Sequence, residues 1–159
     1  MATELALLAA RLVSSHRWAA LATLHEGGPL ASMVAYATEK DLSALFFHLS
    51  GLSAHTRDLL ADGRASLCVG EADPGTGDPQ TLPRLTLTGR TVPLEQGTPH
   101  FEAARDIYLA KFPDAELRFG LPDFVLFVFV PEEGRVVGGF ARAGRVSPTQ
   151  LVEAASSPA

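Results

Sequence analysis

The sequence predicts a mainly β protein, a small antiparallel barrel that is closed or nearly closed, with helices at its periphery. About seven short apolar segments follow one another, most joined by hairpin-type turns, which implies antiparallel pairing. Several of those segments are apolar on both faces, as strands of a closed or doubly covered sheet are. The length of 159 residues and an apolar fraction of 47% fit one globular domain that needs no disulfide staple.

The elements follow in order. Leu5, Leu8, Ala9, Leu12 and Val13 recur at helical spacing, with Thr3 placed to cap the helix. Trp18–Leu24 and Leu30–Thr38 read as two central strands around the turn Glu26-Gly27-Gly28-Pro29. After Glu39-Lys40-Asp41 comes a strand over Ser43–Leu49. Ser50–Ala61 reads as helical, with Leu52, Thr56, Leu59 and Leu60 on one stripe and Gly63 past its end. Arg64–Gly70 is a strand, Asp73–Pro79 a loop, and Arg84–Arg90 an alternating strand with Leu85 and Leu87 inward. Thr98-Pro99 opens a helix that ends at Phe112, ahead of Pro113. Two last strands, Phe124–Val130 and Arg135–Phe140, turn at Pro131–Gly134. The barrel domain is expected over residues 1–146, with a short helix and a frayed tail (Ala154–Ala159) in 147–159.

Charge and composition exclude several functions. Thirteen basic against 18 acidic residues give a net charge of −5, the wrong sign for a non-specific nucleic-acid binder. The strongly apolar run near Phe124–Val130 is about a third of the roughly 20 residues that span a bilayer, so no membrane partner is expected. Glu4 precedes the N-terminal apolar stretch and no basic segment leads it, which favours an amphipathic helix over a secretory signal and a cytoplasmic protein. The five histidines lack metal-type spacing, so no metal site is expected. Cys68, the lone cysteine, falls in a strand expected to be buried, where a thiol is inert packing. No nucleophile elbow and no dinucleotide loop is present, and no catalytic side chain is assigned.

The most informative segment is the strand-to-helix junction. There Ser50, Ser53, His55 and Thr56 surround a helix start, and free amides with hydroxyl donors attract an anion such as a phosphate. The plain alternative is that Ser50 or Ser53 only caps the helix. Arg84 sits on an outward strand face beside Thr86, Thr88 and Arg90, either solvated or reaching a ligand. The glycines of Gly134–Phe140 read as close packing or a bulge.

The segment Leu49-Ser50-Gly51-Leu52-Ser53-Ala54-His55-Thr56-Arg57-Asp58-Leu59, followed by Asp62–Leu67, resembles the pyridoxamine 5′-phosphate oxidase-like superfamily of FMN-binding split β-barrels, and within it the haem-utilisation branch. Pro29–Tyr36, Arg84–Arg90 and Val136–Ala143 support the resemblance, which covers about residues 10–145. It implies a six- or seven-stranded split barrel, a homodimer with two FMN sites at the interface, and a small-molecule substrate. Ser32, Met33 and Val34 would then run along the flavin ring edge. Ser50, Ser53, His55 and Thr56 would hold the phosphate, and Arg84, with Gln80 just upstream, would reach the ring. The oxidases proper carry arginine at Ser32 and lysine at His55, so a phosphate grip here leans on neutral donors or on a protonated His55. Vitamin B6 oxidation is not implied.

The resemblance implies an FMN flavoprotein passing electrons from a reduced nicotinamide to a small acceptor. A haem-binding or haem-degrading protein of the same fold is the alternative, with His16, His25, His48 and His100 as available iron ligands. A non-catalytic flavin dimer, or F420 in place of FMN, is a further possibility that the superfamily implies. Haem degraders of the branch carry an additional C-terminal region, whereas this chain ends soon after Phe140.

Overall fold

A computed structural model describes residues 1–157. Helix α1 (Glu4–Ser15) is capped by the Thr3 hydroxyl and buries Ala6, Ala9, Leu12 and Val13. Strands β1 (Trp18–His25) and β2 (Gly28–Ala35) form a hairpin, followed by the two-residue β3 (Ala37–Thr38). Then come β4 (Leu45–Ser50), helix α2 (Ala54–Ala61), β5 (Arg64–Gly70) and β6 (Arg84–Pro93). Helix α3 (Pro99–Lys111), the short α4 (Glu116–Phe119), β7 (Phe124–Val137), β8 (Ala143–Val146) and helix α5 (Pro148–Ala155) complete the chain.

All pairings are antiparallel, in the order β2-β1-β5-β6-β7-β4-β3, with β8 added to β7. The sheet curls until β2, at one end, comes into contact with β4, next to the short β3 at the other, without a hydrogen-bonded ladder between them. That unpaired seam makes the barrel split. The expectation of a small antiparallel barrel holds, with eight strands rather than six or seven because β3 and β8 are very short.

Two apolar clusters explain the doubly apolar strands. Leu45, Phe47 and Leu49 of β4 point into the barrel with Leu21, Leu67, Leu85 and Phe127. Phe46 of the same strand points out, beneath Phe101, Ala104 and Tyr108 of α3. A sheet strand buried on both faces needs a helix over one of them, and α3 supplies it.

Several elements depart from expectation. β2 is an edge strand, not a central one, and exposes Pro29, Ala31 and Met33. The stretch expected to run to Thr38 breaks at Tyr36, whose hydroxyl donates to Val13 O at 2.6 Å. Asp41 accepts from the Ser43 amide and hydroxyl, which delays β4 to Leu45. Helix α2 starts at Ala54, leaving Leu52 outside it and 80% exposed. Pro131–Gly134 is no turn: β7 runs 14 residues straight through it. Pro131 pairs with Gly89 where the register shifts, and a bulge tolerates proline's missing N–H. The turn comes instead at Gly138–Arg142, with Gly139 at φ 119° and Ala141 at φ 60°. Cys68 is exposed, because β5 turns it away from the barrel. At the C-terminus α5 is closed by a Ser147–Gln150 capping box and buries Ala154, so the fraying expected from Ala154 onward does not begin there. Pro158 and Ala159 lie outside the described residues.

Candidate functional site

Ser50, Ser53, His55 and Thr56 do come together in one turn between β4 and α2, but their chemistry differs from expectation. The Ser50 hydroxyl donates to Asp123 Oδ2 at 2.9 Å and accepts from the Leu52 amide. The Gly51 amide donates to Asp123 O at 2.6 Å, and a Cβ at Gly51 would stand 2.6 Å from that oxygen. An acidic side chain therefore sits where a phosphate was expected, beside the one hydroxyl already engaged. Ser53 is the N-cap residue, yet its side chain makes no cap bond, unlike Thr3, Thr98 and Ser147 at other helices. The Thr56 hydroxyl is buried and unpartnered. Burial pushes the His55 pKa down, away from the protonated form a phosphate would want. Arg57 folds back onto Leu52 O at 2.8 Å and brings a positive charge near the helix start.

The remaining expected residues lie elsewhere. Met33 faces outward opposite Ala20, while Ser32 and Val34 lie opposite Leu21 and Ala19 on the other face, so the three side chains share no surface. Arg84 is exposed, and its Nη1 donates to Gln80 O at 2.8 Å and Leu82 O at 3.2 Å. Gln80 belongs to a single 3₁₀ turn, Pro79–Thr81. Arg84 stands at one end of β6; α2 closes over the other end, about 20 Å away at roughly 3.3 Å per residue. One small ligand does not touch the two groups of residues within a single protomer.

A site the sequence reasoning missed lies on the outer face of β1, β5 and β6. A cavity of about 380 Å³ is lined by Ala22, Leu24, Pro29, Ala65, Ser66 and Gly89 together with Arg64, Arg90 and Glu132. Arg64 and Arg90 are directly opposed across the β5–β6 ladder. Like charges facing each other are unfavourable, and each is offset locally. Asp62 grips Arg64 through both carboxylate oxygens, at 3.0 and 2.6 Å, which holds the Asp62 pKa down at about 2. Glu132 accepts from Arg90 Nε at 3.1 Å. Two larger depressions, of about 520 and 750 Å³, set Arg105 among Glu102 and Glu116, and Lys40 among Glu39 and Asp41. Neither brings two cations together.

Beside this cavity stands a polar network. Thr23, which also lines the cavity, donates to Asp58 Oδ2 at 2.9 Å, and His25 Nδ1 lies 2.8 Å from Asp58 Oδ1. The hydrogen bond and charge of Asp58 raise the His25 pKa. Burial opposes ionisation of Asp58, but its bonds to His25 and Thr23 leave its pKa lowered on balance. The only linear signal for this region was the outward alternation of Arg84, Thr86, Thr88 and Arg90. Among the described residues no three His, Cys, Asp or Glu side chains converge as a metal site, and no helix is long and apolar enough to cross a membrane.

A curled antiparallel sheet with an unpaired seam, a helix springing from β4 and an open outer face defines a split β-barrel. The chain belongs to the CREG β-barrel family, whose model matches residues 1–153. It is similar to the non-canonical haem oxygenase HOZ, chloroplastic, of Arabidopsis thaliana, with 38% identity over 120 residues, which is 75% of this chain and 35% of that one. Among solved structures it is similar to a haem-binding protein from Mycobacterium smegmatis, with TM-score 0.84 and 28% identity over 96% of this chain and 62% of that one. A Clostridium acetobutylicum protein of the pyridoxine phosphate oxidase family shares the fold alone, with TM-score 0.69 and 14% identity over 93% of this chain and 97% of that one. The chain thus spans about a third of the plant relative and under two thirds of the mycobacterial one.

Proposed function

We propose that this protein binds haem on the outer face of its barrel, and does so as a homodimer. The observation that carries this reading is the arginine pair, Arg64 and Arg90, lining one cavity together with apolar and small side chains. Ala22 and Ser66, paired neighbours on the outward face, leave room for a flat ring, and the paired guanidiniums suit the two carboxylates at one edge of the porphyrin. Asp62 and Glu132 hold those guanidiniums in place beforehand. The haem-associated names of the plant and mycobacterial relatives support the same ligand. Haem, when bound, supplies iron redox chemistry; the protein supplies binding, orientation and shielding from water.

The same face supports pairing with a second copy. Trp18 is 61% exposed and Met33 51%, and Ala31 and Cys68 are exposed on the same surface. A second protomer laid on this face would cover those side chains and close the open cavity.

The flavin reading keeps one specific support, the uncapped start of α2 with its free Ser53 hydroxyl. Parallel titrations with haemin and FMN decide between them. Haemin is expected to give a saturable Soret change and to quench Trp18, the single tryptophan. Substituting Arg64→Ala and Arg90→Ala together is expected to weaken haemin binding at least about tenfold, as loss of two charge-assisted contacts implies. Tight FMN binding with no haemin response would overturn the proposal.

A further inference from the structure

The outer-face cavity holds two cations and no iron ligand. Among the described residues that line it, none carries an imidazole, a thiol or a thioether. Strand alternation sets His25 on the inward face of β1, where its Nδ1 lies 2.8 Å from Asp58 Oδ1. His16 has Nδ1 at 2.7 Å from Leu12 O and Nε2 at 2.8 Å from Gly70 O, so neither nitrogen is free. His48 is buried and stacked on Phe119, His55 belongs to α2, and His100 belongs to α3 over β4. The sulfur atoms of Met33 and Cys68 do share the outward face. Both stand opposite Ala20, one outward row beyond Ala22 and Ser66, and neither lines the cavity. A second protomer laid on this face by a two-fold axis brings the same surface, and so no histidine either.

Resting on the haem reading above, we infer that the site recognises its ligand by the two carboxylates and not by the metal. Arg64 and Arg90 are then the specificity-determining residues, and the ligand class is a tetrapyrrole with both carboxylates free, with or without iron. A guanidinium carries five N–H donors. Asp62 takes Nε and one hydrogen of Nη2 on Arg64, and Glu132 takes Nε on Arg90. Arg64 Nη1 and both Nη atoms of Arg90 have no partner among the described residues. Each arginine thus keeps its outer Nη1–Nη2 edge for a further carboxylate, and the side chains are 61% and 63% exposed. Their opposition across the β5–β6 ladder matches two carboxylates on one edge of a ring. The other contacts offered, from Ala22, Leu24 and Pro29, are apolar. Apolar contact and paired guanidiniums are both indifferent to what the ring carries at its centre.

The test compares three ligands on wild-type protein, haemin, iron-free protoporphyrin IX and haemin dimethyl ester, each titrated against Trp18 fluorescence. Haemin and protoporphyrin IX are expected to bind within about threefold of each other. The ester, which keeps the iron and loses both negative charges, should bind at least about tenfold more weakly than haemin. Arg64→Ala with Arg90→Ala should erase the preference for acid over ester while the far-ultraviolet circular dichroism stays that of wild type. The ester comparison needs no variant, so it stands even where the double substitution disturbs folding. Haemin binding tighter than protoporphyrin IX by more than the threefold margin overturns the inference and leaves haem binding intact. An ester that binds as well as haemin overturns the role of the arginines. Absence of any wild-type haemin response overturns the haem reading itself.

Discussion

Tyr36 and His48 show how single side chains tie the molecule together. The Tyr36 hydroxyl is buried and donates to the Val13 carbonyl, joining the end of the β1–β2 hairpin to α1. Tyr36→Phe strands that carbonyl, and a loss of about 1–3 kcal/mol in denaturant-derived stability is expected. His48 is stacked on Phe119 with Nδ1 unpartnered, and burial with the nearby Arg118 pushes its pKa down from 6.5 to about 4. The unfolded chain therefore takes up a proton from about pH 6.5 downward while the folded one resists until about pH 4. His48 stabilises fully above pH 6.5, and the contribution falls away between those values, by at most about 3 kcal/mol. Urea melts from pH 4 to 7 should show this acid limb, and His48→Leu should flatten it. A His48→Leu curve as steep as wild type would place the acid sensitivity elsewhere.

Strand β6 and its bulge govern the geometry of the outer face. Gly89 lies where the β6–β7 register shifts, and a Cβ there would stand 2.2 Å from Val130 O, a backbone atom that cannot swing away. Gly89→Ala is expected to cost about 2–4 kcal/mol, read as a lower thermal midpoint, because the bulge must open to admit the methyl group. The same bulge lets Pro131 occupy the middle of a 14-residue strand. Elements of this kind were only partly legible. The helix starts at Thr3 and Thr98 could be read from cap chemistry, and the alternation of Arg84–Arg90 from its period of two. The Pro-Glu-Glu-Gly run had the composition of a turn and is strand, because pairing to β6 on one side outweighs local turn preference. Helix α2 starts late because Ser50 and Gly51 are engaged by Asp123, a partner 73 residues away in sequence from Ser50.

At the scale of the whole molecule, the protein leaves a broad face of its barrel uncovered. α1 and α5 pack with β7 and β8 and α3 covers β4, whereas the outer face of β1, β5 and β6 meets only solvent in one protomer. Sedimentation velocity should give the mass of a dimer. Met33→Glu with Cys68→Arg, two charges set on the exposed row around Ala20, should shift it to monomer without unfolding. A wild-type monomer at micromolar concentration would remove the dimeric part of the proposal and leave the cavity of one protomer to bind ligand unaided.

The order of residues alone determined the class of fold, the helix caps, the inward face of β6 and the superfamily resemblance, since each depends on periodicity or on neighbours a few positions apart. Only the folded chain decided which residues meet. Arg64 and Arg90, or His25 and Asp58, are brought face to face by strand pairing and by a helix docked across a hairpin. Likewise, Asp123 reached Ser50, and Ser32 parted from Met33, through register and the pleat. Such contacts arise from the closure of a curled sheet, whose geometry sums over every strand and is written in no short stretch of the chain.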